Sequence, residues 1–133
     1  YPFGTTIRSL YDLAAANFDA DGAIEILVLK RLNATGAPWY LELFDADFSS
    51  LPPQLTPRTP WGVGADGAHD ALAVADLDRD GDLDFWCTDR RVYENDGTGS
   101  FTAVRTAGRA WPTGLAIGDV DGDGVLDLVH ATG

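Results

Sequence analysis

The stretch DVDGDGVLD, residues 119 to 127, sets aspartates at positions 119, 121 and 123, a glycine at 124 and a fourth aspartate at 127. Carboxylates at this spacing offer several hard oxygen ligands to one point, the demand of a cation such as Ca²⁺. The surrounding LAIGDVDGDGVLDLV, residues 115 to 129, recurs as LAVADLDRDGDLDFW at 72 to 86 and as LAAANFDADGAIEIL at 13 to 27. All three begin Leu-Ala and run through Asp or Asn, Asp, Asp-Gly, and a final acid at the ninth loop position. Their first loop residues, Asn17, Asp76 and Asp119, stand 59 and 43 residues apart. Three in-phase matches of this length are an internal repeat, and a repeat decides architecture.

The loop is not an EF-hand. That motif needs a bidentate Glu at position twelve and a helix on each side. Position twelve here is Val28, Cys87 and His130. The flanks IEILVLK, LDFWCT and LDLVHA are short, apolar and rich in β-branched and aromatic residues, so they read as strands. A loop between two strands then presents side chains at position one (Asn17, Asp76, Asp119), three (Asp19, Asp78, Asp121) and five (Asp21, Asp80, Asp123). Position seven (Ala23, Asp82, Val125) turns its carbonyl inward, and position nine (Glu25, Asp84, Asp127) closes the shell from the start of the second strand. Gly22, Gly81 and Gly124 fall at position six, where a sharp turn calls for positive φ. Up to three Ca²⁺ are expected, the first loop being weakest because Asn17 brings no charge.

Beyond the second loop, RVYE alternates as a strand, NDGTGS is a dense turn signal, and FTAVRT alternates again. The unit is a four-stranded antiparallel meander of about 43 residues, the size of one propeller blade. The expected class is all-β, with about two and a half blades in one repeat domain. Residues 1–10 have room for a strand of a preceding blade, 11–67 form the first blade, 68–110 the second, and 111–133 the first half of a third. PWYLELF, residues 38–44, is the third strand of the first blade. SSLPPQLTPRTPWGVGADG, residues 49–67, holds a poor fourth strand and a long connection.

ADLDRDGDLDFWCTDRRVYENDGTGSFTAV resembles an FG-GAP or VCBS repeat, the blade of integrin-α-like β-propellers, and AIGDVDGDGVLDLVHATG resembles the first half of the next blade. The resemblance covers nearly all of residues 68–133 and, more loosely, 11–45. It implies a Ca²⁺ in each hairpin loop, a secreted or cell-surface location, and a role in adhesion, ligand binding or scaffolding. Some members are parts of enzymes. The alternatives are therefore a non-catalytic propeller part of a secreted hydrolase or lyase, or a self-assembling surface or fibre subunit.

Composition agrees. Of 21 acidic residues, 12 lie in the three loops, and the net charge is −12. Such a chain is a poor nucleic-acid ligand. No apolar run approaches the ~20 residues of a membrane helix. The single Cys87 excludes an internal disulfide. The chain starts at Tyr1 and contains no methionine, so a processed chain or a piece of a longer one is expected. A four-bladed ring at about 40 residues per blade needs roughly 160. The expected partners are accordingly other copies or the remainder of a longer propeller, with a glycan or protein as ligand.

No catalytic residues are assigned. His69 and His130 have no link in sequence to Cys87, which alternates with Phe85 as a core hydrophobe. Paired carboxylates suit a glycosidase, but metal ligation explains each pair better. Trp61 and Trp111 lie in connections, where packing between blades outweighs sugar stacking; Trp39 and Trp86 are core. Asn33-Ala34-Thr35 is a glycosylation sequon in a loop.

Overall fold

The computed structural model describes residues 7–32, 39–58, 61–63, 71–87, 89–105 and 114–131. His69, Trp111 and the Asn33 sequon lie outside the described residues. Among those described there are eleven strands and no helix. The strands are β1 (Ile7–Ala16), β2 (Glu25–Leu32), β3 (Trp39–Asp47), β4 (Gln54–Pro57), β5 (Trp61–Val63), β6 (Leu72–Ala75), β7 (Asp84–Cys87), β8 (Arg91–Asn95), β9 (Phe101–Arg105), β10 (Gly114–Gly118) and β11 (Asp127–Ala131).

They form three antiparallel sheets in chain order. The first runs β1-β2-β3-β4 with β5 also on β3, the second is β6-β7-β8-β9, and the third is the hairpin β10-β11. Each repeat motif is thus the hairpin between the first two strands of its own sheet. Strand β1 lies beside β6, and β6 beside β10. Asp12 Oδ2 accepts the Leu72 N–H at 2.8 Å across the first of these junctions. Successive meanders with adjoining first strands are compatible with propeller blades.

Two expectations change. Ile7–Leu10 belong to no separate strand; they open β1, with Ile7 opposite Leu32 and Leu10 opposite Lys30. Trp61 is not in a connection. Its segment, β5, pairs with β3 (Leu41 opposite Trp61), while β4 pairs with the other end of β3 (Phe44 opposite Pro57). The fourth strand of the first sheet is thus one edge broken at Arg58, whose N–H still reaches the Leu43 carbonyl at 2.8 Å. Such an interruption bends a strand and re-aims a side chain.

The core lies between the first two sheets. Period-two alternation turns Leu27, Leu29, Trp39, Leu41 and Leu43 to one face of the first sheet, where they join Phe85, Cys87 and Tyr93 of the second. Phe18, from the first loop, inserts between the sheets and meets Phe101 edge-on, with ring centroids 5.8 Å apart. Phe85 stacks on Tyr93 at 4.6 Å. Trp39 and Trp86 are buried as their strand positions require. A buried Lys30–Glu42 ion pair lies across β2 and β3. The third hairpin has less cover: Val129 and Leu126 are 44% and 38% exposed.

Candidate metal centre

The three loops share one hydrogen-bond plan, which follows from their aspartate spacing. An Asp oxygen accepts the N–H two residues on, forming an Asx turn. At position three, Asp19, Asp78 and Asp121 each accept from position five at 3.2, 3.1 and 3.1 Å. At position five, Asp21, Asp80 and Asp123 accept from position seven at 2.7, 3.0 and 2.7 Å. Position one reaches across the turn: Asp76 and Asp119 accept the position-six N–H of Gly81 and Gly124 at 3.2 and 2.9 Å. Position nine closes the loop by accepting the N–H of position two: Glu25 from Phe18 at 2.7 Å, Asp84 from Leu77 at 2.8 Å, Asp127 from Val120 at 3.0 Å. It is also the first residue of the second strand in each repeat.

Position-six glycines have positive φ, between 83° and 101°. Position four, which carries no sequence signal, shares that conformation: Ala20 at 59°, Arg79 at 69° and Gly122 at 80°. Two left-handed residues separated by one make the turn tight enough to point alternate side chains inward.

The plan gathers oxygens. In the second loop, atoms of Asp76, Asp78 and Asp84 lie within 4.8 Å of one another; in the third, those of Asp119, Asp121 and Asp127 do. Oxygens on one Ca²⁺ at about 2.3–2.6 Å must lie within roughly 5 Å of each other, so these sets fit that ion. Asp76 Oδ1 is buried with no hydrogen-bond donor among the described residues. The position-five residues are outside these triads. Asp82 at position seven turns its carboxylate to the turn after β8, where a Cβ on Gly97 would meet Oδ2 at 2.5 Å.

The first loop differs. Its cluster is Asp19, Glu25 and Asp45, the last from β3 opposite Glu25. Asn17 Oδ1 is buried without a donor among the described residues. Arg58 donates from Nη2 to Asp19 Oδ2, from Nε to Asp45 Oδ1 at 2.7 Å, and from Nη1 to the Thr98 carbonyl of the second sheet at 3.1 Å. The hydrogen bond from Arg58 to Asp19 holds the Asp19 carboxyl below the usual range. Burial raises the Glu25 carboxyl, helped by the charges of Asp19 and Asp21. Asp45 and Arg58 carry no spacing signal; only the β2–β3 and β3–β4 registers bring them to the loop.

In the sequence Asn95 is likewise only part of a turn signal. It is buried, and its Nδ2 donates to the Phe18 carbonyl of the first loop at 2.7 Å and to Leu83 at 3.1 Å. Its Oδ1 accepts from Gly97 and Gly99, and its own N–H reaches Asp84 Oδ1 at 2.9 Å. Arg79 in turn donates to the Gly124 carbonyl of the third loop. The first and second loops are therefore each tied to the repeat that follows.

Among known families, the FG-GAP-like repeat matches residues 17–87 and again 88–130. The chain belongs to the FG-GAP-like repeat family. No curated protein and no solved structure gives a match. The second matched unit of this FG-GAP-like chain ends within β11, so both matches take in loop, hairpin and outer strands. Repeats of this family form β-propeller-type modules, are typical of extracellular proteins and often bind calcium. Among the described residues no helix is long and apolar enough to cross a membrane.

Proposed function

We propose that the chain is a calcium-stabilised, extracellular, non-catalytic propeller module that serves binding, adhesion or scaffolding. The observation that carries this reading is the recurrence of one oxygen array at positions one, three and nine of the second and third loops, with Asp76 Oδ1 buried and unpaired. Asp76, Asp78 and Asp84 would hold one ion, and Asp119, Asp121 and Asp127 another, each with the position-seven carbonyl. The ion offsets carboxylates that repel one another without it. An ion that binds only the folded state stabilises it by about 4 kcal/mol at a thousandfold excess over Kd. The test is thermal melting with calcium, with excess chelator, and with Mg²⁺, calcium content being checked by elemental analysis. Chelation should lower Tm substantially and Mg²⁺ should substitute poorly, since it demands tight octahedral geometry. An unchanged melt after proven calcium loss would sink the reading.

The partners proposed are other copies or the remainder of a longer propeller. Leu10 and Leu13 on β1 are 62% and 59% exposed, which supports side-by-side packing with further blades of the same or another chain. Light scattering of the calcium-loaded protein tests this: a stable 14.2 kDa monomer would refute it.

A further inference from the structure

The second and third loops leave one oxygen of the position-three aspartate without an N–H donor. In Asp78 and Asp121 the Asx turn uses Oδ1, and Oδ2 accepts no hydrogen bond among the described residues. In the first loop the Asx turn also uses Oδ1, but Arg58 sits on Oδ2. The corresponding atom is thus taken by a guanidinium where the other two loops keep it open.

This arginine is placed by the fold. Arg58 stands at the break between β4 and β5, held by its N–H to Leu43. Thr56 pairs with Asp45 in the first sheet as Thr102 pairs with Glu94 in the second, so Val104 stands at the register position that Arg58 takes. The guanidinium is half-buried, and a Cβ on Gly99 would meet Nη1 at 2.7 Å. All three of its nitrogens have acceptors: two carboxylates of the first sheet and a backbone carbonyl of the second. A planar fork suits such a three-way bridge, and a delocalised cation tolerates partial burial better than an ammonium.

We propose that Arg58 is the resident cation of the first loop: it occupies the position-three oxygen in place of Ca²⁺ and clamps the first blade to the second, so that calcium goes to the second and third loops only. Asn17 is consistent with this, since an uncharged position one needs less compensation. Its unpaired Oδ1 supplies a further ligand once the guanidinium is removed.

This inference rests on the calcium reading of the other two loops, and the test separates the two. Bound calcium per chain is counted by equilibrium dialysis with elemental analysis for the native protein, Asp19→Asn, Asp121→Asn and Arg58→Gln. Asp19→Asn should leave the count at two, Asp121→Asn should lower it to one, and Arg58→Gln should raise it to three. Loss of one ion in Asp19→Asn, or no gain in a folded Arg58→Gln, overturns the proposal; if Arg58→Gln does not fold, the Asp19→Asn count decides. If none of the proteins binds calcium, the calcium reading fails instead. The clamp is then judged by melting in chelator, where a lower Tm for Arg58→Gln than for Asp21→Asn supports it and equal values overturn it.

Discussion

Ala20, Arg79 and Gly122 share a backbone conformation that only glycine adopts without cost. A left-handed L-residue costs roughly 1–2 kcal/mol, and part of that is recovered when glycine replaces it. Ala20→Gly should therefore stabilise the protein by about 0.5–1 kcal/mol, read as a rise in urea midpoint at unchanged slope. Arg79→Gly removes the link to the Gly124 carbonyl as well, so the same gain is not expected there. Neighbouring acids in one loop should respond in opposite ways. Asp84 is fully buried and satisfies the N–H groups of Leu77 and Asn95. Asp84→Ala strands both, at about 1–3 kcal/mol each, and removes one oxygen of the proposed calcium site. Asp82→Ala removes a side chain that faces Gly97 and keeps the carbonyl, so calcium content should stay constant. Equal calcium loss from the two variants would show that the loop phase is wrong.

The elements are local hairpins stitched together by a few long side-chain bridges. Strand pairing within each sheet follows alternation and turn chemistry, and the Asn95-Asp96-Gly97 turn behaves as its sequence says: Asp96 Oδ1 accepts from Thr98 N at 3.0 Å. The stitches do not follow from it. Asn95 makes four side-chain hydrogen bonds, one of them to the first loop. At about 0.5–1.5 kcal/mol net for each, Asn95→Ala should cost roughly 2–6 kcal/mol. The loss should appear in guanidinium denaturation, and a loss under about 1 kcal/mol would contradict the burial of that amide. The broken fourth strand is similar. A proline-rich stretch reads as a poor strand, which β4 and β5 are, yet the use of the break to aim Arg58 depends on the register with β3.

Across the molecule, burial is uneven. The first two sheets share an aromatic and aliphatic core, while the third hairpin offers exposed Val125, Leu126 and Val129 and holds Asp119 and Asp121 in solvent. Regions with few buried contacts open first. Hydrogen exchange after calcium removal should thus show β10–β11 losing protection well before β2 and β3. Uniform loss of protection would mean that one cooperative unit includes all three sheets.

The repeat, the all-β class and the hairpin position of each loop were legible in the sequence alone. Nine consecutive residues carry the Asx turns, the position-six glycine and the strand that begins at position nine, so spacing suffices. What only the tertiary structure decided is the difference between the loops. Arg58 lies 39 residues from Asp19, and Asn95 lies 77 from Phe18. Those pairs exist because sheet register and the packing of one meander on the next bring distant side chains to the same loop. Ile7–Leu10 joined β1 for the same reason: β2 is long enough, at Glu25–Leu32, to offer them a pairing edge that no local pattern announces.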